Sequence, residues 1–141
     1  MTSARFDLRA VAPDAYKAMS GVQRFVDGST LAHALLELVK MRASQINRCA
    51  YCLDMHSKDA VALGVPPQKL YVLEGWREAP FYTAQERAAL EWTEALTLLA
   101  GGDVPDAVYE AVRPHFSERE LAELTMAIVA INGWNRIAVS T

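Results

Sequence analysis

The chain has 141 residues, of which 52% are hydrophobic and 22% charged, and its formal net charge is −3 at pH 7. This composition is typical of a globular protein and excludes an intrinsically disordered one. The mildly acidic balance gives no electrostatic reason to bind nucleic acid or an anionic membrane, so we expect neither partner. A chain of this length predicts one domain over residues 1–141, with a sizeable core.

Two apolar patterns bear on location. Residues 1–16 lack the apolar run that a signal peptide needs, and the longest nearly unbroken apolar run, residues 126–131, is too short to span a bilayer. We therefore expect a cytoplasmic protein. Because cytoplasmic thiols are kept reduced, the chain's two cysteines are not expected to form a structural disulfide.

Apolar residues that recur at helical spacing predict seven helices and no strand. In chain order these helices cover about residues 13–25, 31–46, 48–63, 68–76, 86–99, 106–113 and 117–140. Asn47 is a suitable N-cap for the third helix, and Gly64 is a suitable stop for it. Capping-box signatures, Thr83 with Glu86 and a second one from residue 117 to residue 120, mark the fifth and seventh helices. The predicted fold class is an all-α bundle.

A pair of cysteines lies at the predicted start of the third helix. Cys49 and Cys52 have i, i+3 spacing, which puts their sulfurs on one helix face and close enough for a disulfide. The positive end of the helix dipole stabilises a thiolate, which is the reactive form of cysteine. His56 lies one turn beyond Cys52, where its imidazole can take a proton from the thiol. The spacing predicts a redox-active helix face.

Other interpretations of the same residues stay open at this point. The cysteines and His56 could be core groups without chemistry, because small cysteines are common inside helices. They could also hold zinc, with Glu37 as a fourth ligand, although no second CxxC or HxxxH motif is present. Taken alone, Glu37 is interpreted as part of a solvated helix face or as the partner of Lys40 in an i, i+3 pair.

Glu37, the Cys49–Cys52 motif and His56 in this order resemble the AhpD-like alkylhydroperoxidases of the wider carboxymuconolactone decarboxylase family. The resemblance covers most of the chain, including Asn135 in the last helix, and it is closest to the small single-domain members. It implies an AhpD-like helical bundle and an antioxidant enzyme that reduces hydroperoxides with thiols. The decarboxylase branch of the family lacks this cysteine pair, so the cysteines favour redox chemistry.

The resemblance also implies a role for each site residue. Cys52 would attack the hydroperoxide, Cys49 would resolve the product to a disulfide, His56 would deprotonate the attacking thiol, and Glu37 would end the proton relay. Tyr51 stands where AhpD carries a second histidine, and a phenol with a pKa near ~10 is a poor base, so it would at most pass a hydrogen bond or line the site.

The two lines of reasoning differ on the attacking thiol. The helix dipole favours Cys49, which is nearer the helix start, whereas the resemblance assigns attack to Cys52. A direct contact between Cys52 and His56 should outweigh a dipole effect of ~0.3–1 kcal/mol, so we assign attack to Cys52.

The expected partners are a small hydroperoxide and a dithiol reductant that the sequence does not identify, with no metal, flavin or haem cofactor. The alternative functions are a carboxymuconolactone decarboxylase-type enzyme and a non-enzymatic redox-sensing or zinc-binding module. The last helix is apolar around most of its circumference, which predicts contact with another subunit. Both this pattern and the resemblance predict a homo-oligomer, and the resemblance implies a trimer or hexamer.

Overall fold

The computed structural model describes residues 3–141. These residues form eight α-helices and three short 3₁₀ helices, with no β-strand among them, which confirms the predicted all-α class. The α-helices are α1 (Leu8–Val11), α2 (Pro13–Asp27), α3 (His33–Ile46), α4 (Ala50–Ala62), α5 (Pro67–Tyr71), α6 (Ala84–Thr97), α7 (Asp106–Val112) and α8 (Glu118–Ser140). None of the helices described here is long and apolar enough to cross a membrane.

The predicted helices are present, with differences at their ends. α6 and α8 begin with reciprocal capping boxes, at Thr83 and Ser117, as predicted. The segment predicted as one helix over residues 68–76 divides into α5 and the 3₁₀ turn Leu73–Gly75. The sequence analysis missed α1, because one turn of helix is too short to show apolar periodicity.

The start of the cysteine-bearing helix was predicted wrongly. Asn47 is the C-terminal cap of α3 instead of the N-cap of α4, and α4 begins at Ala50. Cys49 is itself the N-cap, and its sulfur accepts a hydrogen bond from the backbone N–H of Cys52 at 3.4 Å. The cysteine pair therefore brackets the first turn of α4.

Helix α8 runs through the middle of the bundle and packs against α2, α3, α4 and α6. Most of its apolar positions are covered by the chain's own helices; among them are Leu124, Ala127, Ile128 and Ile131. Val129 and Val139 are about half exposed. The apolar circumference that suggested a subunit contact is thus largely explained within one chain, and the homo-oligomer stays a prediction.

Helix α3 connects the core to the site. It packs against α4 on one side and against α6 and α8 on others. Leu36 and Val39 face the main core, where both are at most 2% exposed. Glu37 lies between them in sequence and therefore points away from that core, towards α4.

Candidate active site

The cysteine pair follows a direct junction between two helices. At the end of α3 the backbone N–H of Arg48 donates to the Gln45 carbonyl at 3.2 Å, and that of Cys49 donates to the Ser44 carbonyl at 3.0 Å. These are the two hydrogen bonds of a Schellman motif. Arg48 occupies the left-handed position of the motif, with φ of 56°. Cys49 therefore ends one helix cap and begins the next.

Cys49 and Cys52 are joined by a disulfide, with their Cα atoms 5.3 Å apart. This separation lies within the ordinary range for a disulfide. Both residues are 2% exposed. They differ in what they face, because Cys52 lines a large cavity and Cys49 does not. Of the two cysteines, Cys52 is therefore better placed to meet a small molecule.

Glu37 of α3 and His56 of α4 are brought together, as the resemblance implied. The Nδ1 atom of His56 lies 2.9 Å from Oε2 of Glu37, and both side chains are buried. In the neutral imidazole, an Nδ1–H that donates to this carboxylate leaves the lone pair on Nε2. The pair therefore orients His56 as a base on the helix face that also carries Cys52.

Lys40 is a third charged group at this pair. Its Nζ lies 3.0 Å from Oε1 of Glu37, so the two carboxylate oxygens have different partners. Burial alone would raise the pKa of Glu37, but the hydrogen bond from His56 and the charge of Lys40 together lower that pKa below its usual value. Glu37 is therefore ionised at neutral pH.

These groups lie in the lining of a cavity of about 1120 Å³. The volume is large enough for a substantial organic ligand. Cys52, His56, Glu37 and Lys40 are among its reactive and charged groups. The remaining lining is partly aromatic and aliphatic, including Tyr16, Trp134, Met55, Ile137 and Val139. The cavity thus combines a polar reactive group with apolar surface.

Residues 13–95, more than half of the chain, match the carboxymuconolactone decarboxylase family. The chain belongs to this family. YdfG of Bacillus subtilis strain 168, an uncharacterized protein, is 39% identical over 138 residues, which cover 98% of this chain and 94% of YdfG. The resemblance of the cysteine motif to the AhpD-like proteins is consistent with this family membership and with one solved structure.

That structure is a protein of unknown function from Agrobacterium tumefaciens, described as a candidate AhpD antioxidant defence protein. It is 44% identical, with a TM-score of 0.93 over 97% of this chain and 94% of its own. The debrominase Bmp8 is 23% identical, with a TM-score of 0.79 over 94% of this chain and 73% of its own, and shows likeness of fold alone. Together they confirm the AhpD-like fold.

Tyr51, the position at which this family member departs from AhpD, lies at the rim of the cavity. Its side chain is 69% exposed, although it contributes to the lining. None of the side-chain hydrogen bonds found among residues 3–141 involves Tyr51. This placement favours a role in lining the cavity over a role in proton transfer.

Two further charged residues lie at the site. The i, i+3 pair of Glu37 with Lys40, one of the alternatives predicted for Glu37, is present, but Glu37 is only 6% exposed and is not on a solvated face. Asp59, which was not predicted, lies one turn beyond His56, with Oδ2 3.9 Å from Nδ1 of the imidazole. Its i, i+3 spacing from His56 was the available signal.

The residues that could hold a metal ion in the structure differ from the predicted zinc ligands. The predicted zinc ligands included two thiolates, but Cys49 and Cys52 are bonded to each other here. The residues whose ligand atoms lie within 4.8 Å of one another are instead Glu37, His56 and Asp59. A cation at these three would compete with the Lys40 ammonium for the Glu37 carboxylate.

Replacing Lys40 with methionine is expected to lower the free energy of unfolding by roughly 1–3 kcal/mol at pH 7, because a buried carboxylate loses a charged hydrogen-bond donor. The folded-state pKa of Glu37 is below its ordinary value of 4.5, so this stabilisation is present above that pH and is lost as pH falls through the folded-state pKa.

Urea unfolding of the wild type and the Lys40→Met variant, at pH 7 and at pH 3, measures this effect. Lys40→Arg, which keeps the charge, is the matched control. A difference that is the same at both pH values would contradict an electrostatic role for Lys40.

Proposed function

We propose that this protein is a thiol-dependent hydroperoxide reductase that uses the Cys49–Cys52 dithiol. The observation that carries the proposal is that Cys52, His56 and Glu37 line one cavity. Cys49 does not line this cavity but is bonded to Cys52. Membership of a family whose members are usually enzymes supports it, as does the likeness to the candidate AhpD protein.

The first step oxidises Cys52. His56 takes the thiol proton at Nε2, and the thiolate sulfur attacks one oxygen of the hydroperoxide. The O–O bond breaks, one oxygen stays on sulfur as sulfenic acid, and the other leaves as an alkoxide. The proton held by His56 passes to the alkoxide and completes an alcohol. The carboxylate of Glu37 stabilises the imidazolium that exists between these two transfers.

The second step forms the disulfide. The sulfur of Cys49 attacks the sulfenic sulfur of Cys52, and the oxygen leaves as water. Cys49 is well suited to act as a thiolate, because it is the N-cap of α4 and its sulfur accepts the N–H of Cys52. The disulfide in this structure joins the same two sulfurs that this step would join.

A dithiol donor must then restore the reduced protein. We expect its thiolate to attack Cys52, because that residue lines the cavity whereas Cys49 does not. Cys49 then leaves as the thiolate that the start of α4 stabilises, and a lower thiol pKa makes a better leaving group. The second thiol of the donor then attacks the donor sulfur that is bonded to Cys52. Cys52 leaves as a thiolate, and the donor is released as a disulfide.

Turnover of tert-butyl hydroperoxide with dithiothreitol as reductant tests the proposal. We expect one tert-butanol formed for each dithiothreitol oxidised, at a rate well above that of the two reagents alone. Protein whose thiols have been alkylated after reduction is the control, and it should be inactive.

The two other functions considered predict different results. A redox sensor would interconvert between dithiol and disulfide without catalytic turnover. A decarboxylase would form no alcohol from the hydroperoxide, whether or not its thiols are free. Either result would contradict the proposed reductase.

A further inference from the structure

The residue before Cys49 has an unusual backbone conformation for its type. Helix α4 ends with the same two hydrogen bonds as α3, from Gly64 to the Val61 carbonyl and from Val65 to the Ala60 carbonyl. There the left-handed position holds Gly64, with φ of 90°. At the end of α3 the same position holds Arg48, whose Cβ makes this conformation unfavourable. Surrounding groups must therefore hold the junction in place.

The side chain of Arg48 is exposed and does not bury itself against the bundle. The restraint comes from α8. Asn47 donates one amide proton to Oδ1 of Asn132 at 2.9 Å and the other to Oδ1 of Asn135 at 3.0 Å. Asn135 in turn donates to the Ser44 hydroxyl at 3.0 Å. Asn135 therefore contacts the chain on both sides of the α3 terminus.

Ser44 connects this network to the redox pair. Its carbonyl accepts the backbone N–H of Cys49, and its hydroxyl accepts the amide of Asn135. Ser44 and Asn135 are both 0% exposed. One helical turn earlier on α8 the same face carries Ile131, an apolar residue that is 2% exposed. A buried amide at position 135 is costly unless fully bonded, so its hydrogen bonds to the junction indicate a specific use.

We propose that Asn135 is a positioning residue for the cysteine pair. Acting through Ser44 and Asn47, it keeps the α3–α4 junction fixed when the disulfide is reduced, so that the two thiols stay within bonding distance. This inference rests on the dithiol–disulfide interconversion in the proposed function, and it does not depend on the hydroperoxide.

The hydrogen bonds of Asn135 with Ser44 and Asn47 matter more for the dithiol state than for the disulfide state. In the disulfide state, the S–S bond itself restrains Cys49 relative to Cys52. In the dithiol state, the junction depends on its hydrogen bonds alone, and Arg48 can leave the left-handed conformation if they are lost. Loss of the network therefore favours the dithiol state and lowers the effective concentration of one thiol at the other.

The test is a redox titration of the full chain in mixtures of reduced and oxidised dithiothreitol, with quenching by alkylation and counting of free thiols by mass spectrometry. We expect Asn135→Ala to lower the equilibrium constant for disulfide formation by about tenfold, which makes the reduction potential ~30 mV less negative. Asn47→Ala, at a half-buried position that is more tolerant of change, should shift it in the same direction.

Thr93→Val is the matched control. Thr93 is also 0% exposed and donates to the Ala89 carbonyl within α6, so its hydrogen bond is not part of the network of Ser44, Asn47 and Asn135. Its replacement removes a buried hydrogen bond and should leave the potential unchanged. An equal shift in this variant would overturn the inference, because any loss of a buried hydrogen bond would then suffice.

Two further outcomes separate this inference from the proposed function. A wild-type pair that titrates, with both asparagine variants matching it, overturns the positioning role and leaves the reductase proposal intact. A wild-type pair that does not interconvert at all overturns both.

Discussion

Replacing Cys52 with serine is expected to lower the rate of hydroperoxide reduction at least about 1,000-fold, because the hydroxyl of serine is a far weaker nucleophile than a thiolate. Cys49→Ser should behave differently. This variant retains the cysteine that lines the cavity, so it should reduce one equivalent of hydroperoxide and then stop at sulfenic acid.

Single-turnover reactions of the two reduced variants with tert-butyl hydroperoxide measure this difference. The alcohol released and the sulfenic acid trapped by a 1,3-dione are quantified in each variant. The assignment of roles is reversed if the Cys52→Ser variant reacts rapidly and the Cys49→Ser variant does not.

Replacing His56 with alanine is expected to slow the oxidation of Cys52 by about 100- to 1,000-fold at neutral pH, which is the usual contribution of a positioned general base. Glu37→Gln should cost less, about 10- to 100-fold, because Glu37 acts on sulfur through the imidazole that it orients. Both effects should be much smaller above the pKa of the thiol, where no base is needed.

The rate constant for peroxide oxidation of the Cys49→Ser background, measured from pH 6 to pH 10, tests this prediction. His115→Ala is the control, since His115 lies on an exposed 3₁₀ turn and does not line the cavity. A His56→Ala variant that loses the same factor at pH 6 and at pH 10 would show that His56 supports packing and not proton transfer.

Local sequence signals predicted most of the fold correctly. Capping boxes at Thr83 and Ser117 are formed by residues three apart, so no distant contact is needed to locate these helix starts. Asn47 shows the limit of such reasoning. An asparagine suits either end of a helix, and in the structure its side chain does not cap α4 but bonds to Asn132 and Asn135, far away in sequence.

Sequence spacing predicted only the part of the site that lies on a single helix. Cys49, Cys52 and His56 lie on one helix, so their spacing alone indicated a shared face. Glu37 lies on another helix, and apart from the family resemblance the sequence indicated a solvated face or an ion pair with Lys40. Only the packing of α3 on α4 shows that this ion pair is buried beside the imidazole of His56.

The apolar pattern of α8 also shows a limit of prediction from sequence. A helix that is apolar on most sides can be covered by another subunit or by its own chain, and the sequence pattern is identical in the two cases. Four helices of the same chain pack on α8. Which neighbours cover it depends on how the chain folds back, which apolar periodicity does not encode.

In the proposed reaction, hydroperoxide oxidises this cysteine pair to a disulfide with release of one alcohol. The most direct measurement mixes fully reduced protein with one equivalent of tert-butyl hydroperoxide and records intact mass, free thiols and alcohol together. We expect a mass loss of about 2 Da, no alkylatable thiol and one tert-butanol for each chain. Two alkylatable thiols and unconsumed hydroperoxide after the same treatment would contradict it.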